Sequence, residues 1–448
     1  MGVGCVIPVA AIVPAWILLP LFETPDGTLY GRGIDVKVAV GSLCLAAFCF
    51  LPKRTLPLRP VPLDFIVLAL IVVHVVSDSL VSGISGMVAG RAYVEWYLPY
   101  LLGRIACQSF DDMRWIAYTV GCIAIFLGGT SLIEAIFGMN LFEVVLGNRP
   151  VEGFSREASR WGMKRAFGPT MHPIYLGVAG LLTLGWTIFL ARNALRKKVH
   201  PLWLFTPLSI VGLVCFTGSR GPVLGVALAL LGIAFMTRKR SRFALLVGGI
   251  LCAGLLFANR EAVLSQLEKW GSSGREVKTR ELEVGDDTIV HSGTRNRLSI
   301  LAVYETAVKR SGLFGFGTDA VSSFPINVPV GQAELKTIKQ TRYIDNTYLL
   351  LTLRFGYLGV AVFVAACVVA VAQLVIVADR HQGRSPSQLA TSLGGCLLAV
   401  YVVIATVWMP PDYGFLLIWT MGCSSGMYFT MRAGGFGAPT SSLESKAA

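Results

Sequence analysis

The chain has 448 residues, of which 54% are hydrophobic and only 15% charged. Soluble domains average about 25% charged residues, so this composition excludes an ordinary soluble protein and indicates a polytopic membrane one. A formal charge of +13 would suit nucleic acid, but the basic residues lie mainly in short loops between apolar runs, which argues against that partner.

A bilayer core takes about 20 apolar residues per helix. Candidate spans occupy 3–22, 34–51, 63–83, 90–106, 115–137, 174–191, 202–217, 222–237, 242–258, 346–378, 389–409 and 413–431. They predict an all-α polytopic membrane protein with about 12 transmembrane helices. The first run has no basic n-region and no clear small-residue cleavage site, so it reads as a retained span. The fourth is interrupted by Arg91, Glu95 and Arg104. The run from 346 is long and divides at Gly356, with an interfacial helix before it.

Basic residues follow every second span. They are Lys53, Arg54 and Arg59; Arg104 and Arg114; Arg192, Arg196, Lys197 and Lys198; Arg238, Lys239, Arg240 and Arg242; and Arg380 and Arg384. The positive-inside rule then puts both termini in the cytoplasm. Residues 1–432 read as one membrane domain, and 433–448 as a small, polar, disordered cytoplasmic tail. The segments 138–173, the turn at Ser219-Arg220 and 259–345 face outward. The last is a large periplasmic-type loop with amphipathic helices, carrying twelve Lys/Arg against eleven Asp/Glu. A connection this long inside a compact domain is usually functional.

The ten cysteines lie in or beside apolar runs, with no C-x-x-C pair and no zinc spacing, so they read as packing residues and no metal site is expected. The outward segments carry the chemistry. Thr217-Gly218-Ser219-Arg220-Gly221-Pro222 is a short polar turn between two apolar runs. A guanidinium stays charged at working pH, so placing one at a membrane boundary calls for an anion. The outward segment 138–173 adds Arg149, Arg156, Arg160, Lys164 and Arg165, either a solvated face or a second anion site. His172 stands beside Pro173 at a span start, as a cap or as a functional group. Residues 260–270 have a helical look, followed by a turn at 271–274. Residues 295–310 predict an amphipathic helix with Leu298, Leu301, Tyr304 and Val308 on one stripe, stopping at Ser311-Gly312. Arg295 and Arg297 lie in its first turn, where cations oppose the helix dipole. Arg342 and then Asp345-Asn346-Thr347-Tyr348 precede the tenth span. Asp345 can cap that helix, face a cavity, or both. Asp78 and Glu134, the main acids within spans, have no obvious partner in the sequence.

In this order the pieces resemble the O-antigen ligase and polymerase family of membrane glycosyltransferases, over about residues 165–365. The motifs are Phe167-Gly168 through Pro173, Ser219-Arg220-Gly221, Arg297 through Gly315-Phe316-Gly317, and Asp345-Asn346-Thr347-Tyr348-Leu349 with Arg354 through Gly359. Two positions depart from the family pattern. Leu301 stands where the family has an aromatic residue, and Asp345-Asn346 replaces the His-Asn of the ligases, which favours the polymerase branch.

The resemblance implies a metal-independent glycosyltransferase with no cofactor, active at the periplasmic face of a bacterial inner membrane. Its partners would be an undecaprenyl-pyrophosphate-linked glycan, an acceptor glycan or glycolipid, and the bilayer. Polymerisation of O-antigen or exopolysaccharide is the leading reading. Ligation to a lipid A-core acceptor, and transport of lipid-linked or anionic glycans, are the alternatives. On this reading Arg220 and Arg297 clamp the diphosphate, with Arg295 and Arg342 behind them. Asp345 is the base, or else His172, and Ser219, Gly221, Asn346 and Tyr348 support the site.

Overall fold

A computed structural model of the chain describes residues 59–146, 159–196, 199–237, 280–284, 287–291, 296–321 and 344–434, with a few isolated positions besides. The expected spans 3–22, 34–51 and 242–258 lie outside the described residues, apart from single positions. The other nine all coincide with helix. Six helices are long and apolar enough to cross a membrane: α1 (Pro62–Ser82), α4 (Phe110–Phe137), α6 (Pro173–Leu195), α8 (Arg220–Thr237), α11 (Thr347–Arg380) and α12, which with its 3-10 end covers Ser385–Thr406. A shorter apolar helix covers Pro201–Phe216, its α-helical part being α7 (Phe205–Phe216). A short helix, α5 (Leu141–Leu146), follows α4, and α13 (Pro411–Arg432) is the last described helix.

The fourth expected span is not one helix. It is α2 (Gly86–Ala92), a π turn at Tyr93–Tyr97 and α3 (Leu98–Ala106). Pro99 has no N–H to give the Glu95 carbonyl, so the α-helical bond at that turn cannot form. The Leu98 N–H instead reaches back to Tyr93, widening the turn. Arg104, expected as a loop charge, is 3% exposed and paired with Asp64 at 3.0 Å. A charge taken out of water needs such a partner.

The packing is that of membrane helices, where small residues let backbones approach. Gly232 of α8 meets Gly395 of α12 so closely that a Cβ at 232 would lie 2.9 Å from the Gly395 Cα. Apolar side chains also point outward. Phe65, Leu68 and Val72 form an exposed stripe on α1, and Leu224 and Leu231 one on α8. Such faces suit lipid contact.

The all-α expectation misses two small hairpins. β1 (Ser159–Arg160) pairs with β2 (Met163–Lys164) across Trp161 and Gly162, whose φ angles are 55° and 78°. Two successive positive φ values fit the mirror-image turn that two-residue hairpins require. β3 (Arg280–Val284) pairs with β4 (Asp287–His291). Leu282 and Val284 alternate there with Glu281 and Glu283, a period-two signal that could have been read. The expected helix at 260–270 falls largely outside the described residues.

The amphipathic helix before Gly312 is two helices, α9 (Asn296–Val303) and α10 (Glu305–Ser311), broken at Tyr304. Its buried stripe is Ile300, Val303, Tyr304 and Ala307, whereas Leu301 is 52% exposed. The stripe packs on Ile344, Leu349, Leu350 and Leu353 at the start of α11. The larger Tyr304 side chain is fully buried, which rotates the packed face away from Leu301.

The break expected in α11 falls at Gly356, with φ 69° and ψ −169°. The loop after α10 fills the gap. Phe316 and Gly317 N–H groups donate to the Leu353 and Arg354 carbonyls at 2.8 and 2.9 Å. Tyr357 and Leu358 N–H groups donate to the Gly312 and Leu313 carbonyls. A side chain at 356 would strike the Leu313 backbone.

Hydrogen bonds tie several helix ends to the segments beside them. The Thr318 N–H donates to Asp78 on α1 at 2.7 Å, and the Gly168 N–H to Glu134 on α4 at 2.9 Å. Both acids therefore have partners that sequence reading did not find. Thr347 Oγ1 donates to the Val407 carbonyl at 2.6 Å, and Tyr413 Oη to the Trp408 carbonyl at 2.7 Å.

Candidate active site

The Ser219-Arg220 turn is held by two arginines from the segment before α6. Arg165 Nε donates to the Thr217 carbonyl at 2.8 Å and Arg165 Nη2 to Ser219 Oγ at 2.8 Å. Arg160 Nη1 donates to the Gly218 carbonyl at 2.6 Å. Ala166 N–H reaches the Phe216 carbonyl at 2.9 Å, which fixes the register of this segment on the turn. The β1–β2 hairpin presents Arg160 to the turn from one side, and Arg165 follows directly after β2.

Arg220 then opens α8. A cation at a helix N-terminus opposes the dipole, so this position is unfavourable for helix stability alone. Burial, with the like charges of Arg160 and Arg220, pushes the Arg165 guanidinium down to about 9, leaving it charged at neutral pH. Sequence reading noted Arg160 and Arg165 as a charge run. It did not join them to the turn, because 54 residues separate Arg165 from Ser219.

His172 is the N-cap of α6, its Nδ1 accepting from the Ile174 N–H at 3.1 Å. Burial, and then the charge of Arg165, push it down to about 3. The imidazole is therefore neutral, with the Nδ1 lone pair already engaged. Its ring lies 5.3 Å from Tyr175, and Tyr175 makes an edge contact with Trp408 at 5.9 Å.

Asp345-Asn346 lies at the start of α11. Asn346 is its N-cap, accepting from the Leu349 N–H at 3.0 Å. The capping role considered for Asp345 thus falls to its neighbour, and Asp345 is half-buried. Tyr348 Oη donates to the Tyr401 carbonyl at 2.7 Å, tying this segment to the end of α12. The same strut meets the arginine turn, since a Cβ at Gly221 would lie 3.5 Å from Thr406 Oγ1. The end of α12 therefore brings the turn and the Asp345 segment to one place. Arg297 lies in α9, which packs on the start of α11, so its backbone belongs to the same region. Arg295 and Arg342 lie outside the described residues.

Beside Thr347 and Trp408 is a cavity of about 180 Å³, which also reaches Glu95 on the π turn and Arg354 on α11. Sequence reading treated Glu95 and Arg354 only as an interruption and a motif position. A proline four residues after an acid in an apolar run was the available signal for the widened turn.

Residues 204–364, about a third of the chain, match the family model described as O-antigen ligase. The match takes in the arginine turn, α9, the loop at Gly315–Gly317 and the Asp345–Tyr348 segment. No curated protein matches the chain.

Proposed function

We propose that this chain, which carries an O-antigen ligase family segment, is a polysaccharide polymerase. It would transfer glycan from undecaprenyl pyrophosphate to an acceptor sugar at the periplasmic face of the inner membrane. The observation that carries this reading is the gathering of Arg160, Arg165 and Arg220 at one buried turn. Such fixed cations in a poorly solvated site oppose one another, and a diphosphate relieves that repulsion while binding.

An acceptor hydroxyl oxygen attacks the anomeric carbon, and the bond from that carbon to the diphosphate oxygen breaks. The electron pair leaves on the diphosphate, where Arg220 receives the developing charge bidentately. Arg165 and Arg160 hold the turn and add field. Arg297 is proposed as the second clamp residue, with Arg295 and Arg342 as secondary candidates. The hydroxyl proton passes to the Asp345 carboxylate, a general-base step contributing roughly 10²–10⁴-fold. Asp345 is preferred to His172 because the imidazole lone pair at Nδ1 caps α6 and its basicity is depressed. The arginines supply the charge neutralisation, so transfer is proposed to be metal-independent.

The description of the matched family favours a second reading, transfer to a lipid acceptor. Purified protein given lipid-linked repeat units separates the two. Longer glycans mean polymerisation, transfer only to another lipid acceptor means ligation, and no product at all favours transport. Arg220→Ala should reduce product about 10²–10³-fold, the usual cost of losing one charge-stabilising donor. Near-normal output from both Arg220→Ala and Arg220→Lys would sink the clamp, and loss of transfer on chelation would sink metal independence.

A further inference from the structure

The arginine turn accounts for a donor, but the reaction also needs a place for the sugar that attacks. We infer that the cavity between the π turn, α11 and the start of α13 binds the terminal sugar of the acceptor, with Glu95 and Arg354 taking its hydroxyls. This inference rests on the glycosyl-transfer reading and adds its second substrate site.

The cavity carries two opposite charges in a mainly apolar wall that includes Trp408 and Phe415. Glu95 approaches His74 at 3.7 Å, and Arg354 Nε donates to the Val321 carbonyl at 2.8 Å. Among the described residues no ion pair joins Glu95 to Arg354. A carboxylate offers only acceptors and a guanidinium only donors. A hydroxyl group is both donor and acceptor, so a polyol satisfies the two at once. The aromatic walls suit the apolar face of a sugar ring.

Other occupants fit less well. A polyprenyl tail would offer no hydrogen bond to the Glu95 carboxylate or to the remaining Arg354 donors, which is costly. A diphosphate would meet Glu95, with Asp78 close behind His74 at 3.3 Å. The volume of about 180 Å³ is below the ~300–1,000 Å³ of pockets that enclose drug-sized ligands, which suits one sugar ring rather than a whole repeat unit.

The position of Glu95 is built in. Pro99 widens the turn at Glu95, and Trp96 Nε1 donates to His74 Nδ1 at 2.9 Å, anchoring the turn to α1. Thr347 lines the cavity two residues after Asp345. Thr347 and the arginine turn both touch the residues that end α12, at Val407 and Thr406, so an acceptor seated there lies in the same region as the proposed donor site.

The test uses the full chain in lipid nanodiscs and two probes. One is the undecaprenyl-pyrophosphate-linked repeat unit. The other is the same oligosaccharide freed of its diphosphate by mild acid and radiolabelled for equilibrium dialysis. Wild type should bind both. Glu95→Gln should weaken the free oligosaccharide at least tenfold and raise the acceptor KM, while donor binding changes less than twofold. Trp408→Leu should do the same, and Arg220→Ala the reverse. Thermal unfolding checks each variant, and if Trp408→Leu loses its fold, Glu95→Gln decides alone. Wild-type binding of donor without the free oligosaccharide, or unchanged oligosaccharide binding in Glu95→Gln, overturns the acceptor site and leaves the transfer reading intact. Binding of neither probe by wild type overturns both.

Discussion

Arg165 Nη2 donates to Ser219 Oγ at 2.8 Å while its Nε donates to the Thr217 carbonyl at 2.8 Å. One guanidinium thus grips both sides of the turn from which Arg220 opens α8. The planar fork of arginine makes this possible, since a lysine ammonium is a single point charge on a flexible stem.

Arg165→Lys therefore keeps the charge and loses the geometry. On the proposed function, glycan transfer should fall about tenfold or more, equivalent to about 1.4 kcal/mol. The thermal midpoint should fall by a few degrees. Activity equal to wild type in a steady-state glycan-elongation assay would show that the grip on the turn is dispensable.

The break in α11 demands glycine. Its φ of 69° and ψ of −169° form a combination that residues with a Cβ avoid, at a cost of roughly 1–3 kcal/mol before any clash. Gly356→Ala should lower the unfolding temperature and the yield of folded protein. Gly90→Ala, with open space around it, should be neutral. Equal melting curves for the two variants would contradict this account of the kink.

His172 predicts a pH dependence with a definite sign. Its folded value of about 3 lies below the ordinary 6.5, so the unfolded chain takes up its proton first as the pH falls. The associated stability is fully present above pH 6.5 and is lost progressively between 6.5 and the folded value. His172→Asn keeps a good helix cap and removes the titration. Melting at pH 7.5 and at pH 5 should show a smaller drop in the variant. An equal drop would place the acid sensitivity elsewhere.

Asp78 and Asp319 separate buried from exposed pairing. Asp78 is 1% exposed and accepts from the Thr318 N–H, whereas Asp319 is 54% exposed in its contact with Arg91. Asp78→Asn should cost about 3–5 kcal/mol, because it leaves buried partners uncompensated. Asp319→Asn should cost no more than about 1 kcal/mol. Limited proteolysis around residue 318, compared between the variants, reads the difference directly.

Much of the helical framework was legible because the bilayer imposes it locally. An apolar run such as 174–191 must satisfy its own backbone in lipid, and helix is the economical way to do so. The break at Gly356 was legible for the same local reason, as was the stop at Ser311-Gly312. The apolar stripe of α9 and α10 was misread at Leu301. Two adjacent residues, Ile300 and Leu301, fit a helical period almost equally, and only the surface of α11 selects Ile300.

The site divides in the same way. From the sequence alone follow the membrane class, helix at nine of the expected spans among the described residues, and the polar turn at Ser219-Arg220. These depend on hydropathy, charge and turn chemistry over a few neighbouring residues. Only the tertiary structure decided that Arg160 and Arg165 grip that turn and that Glu95 shares a cavity with Arg354. Those pairings join residues far apart in the chain. They are set by which helix faces pack together, and no local pattern carries that information.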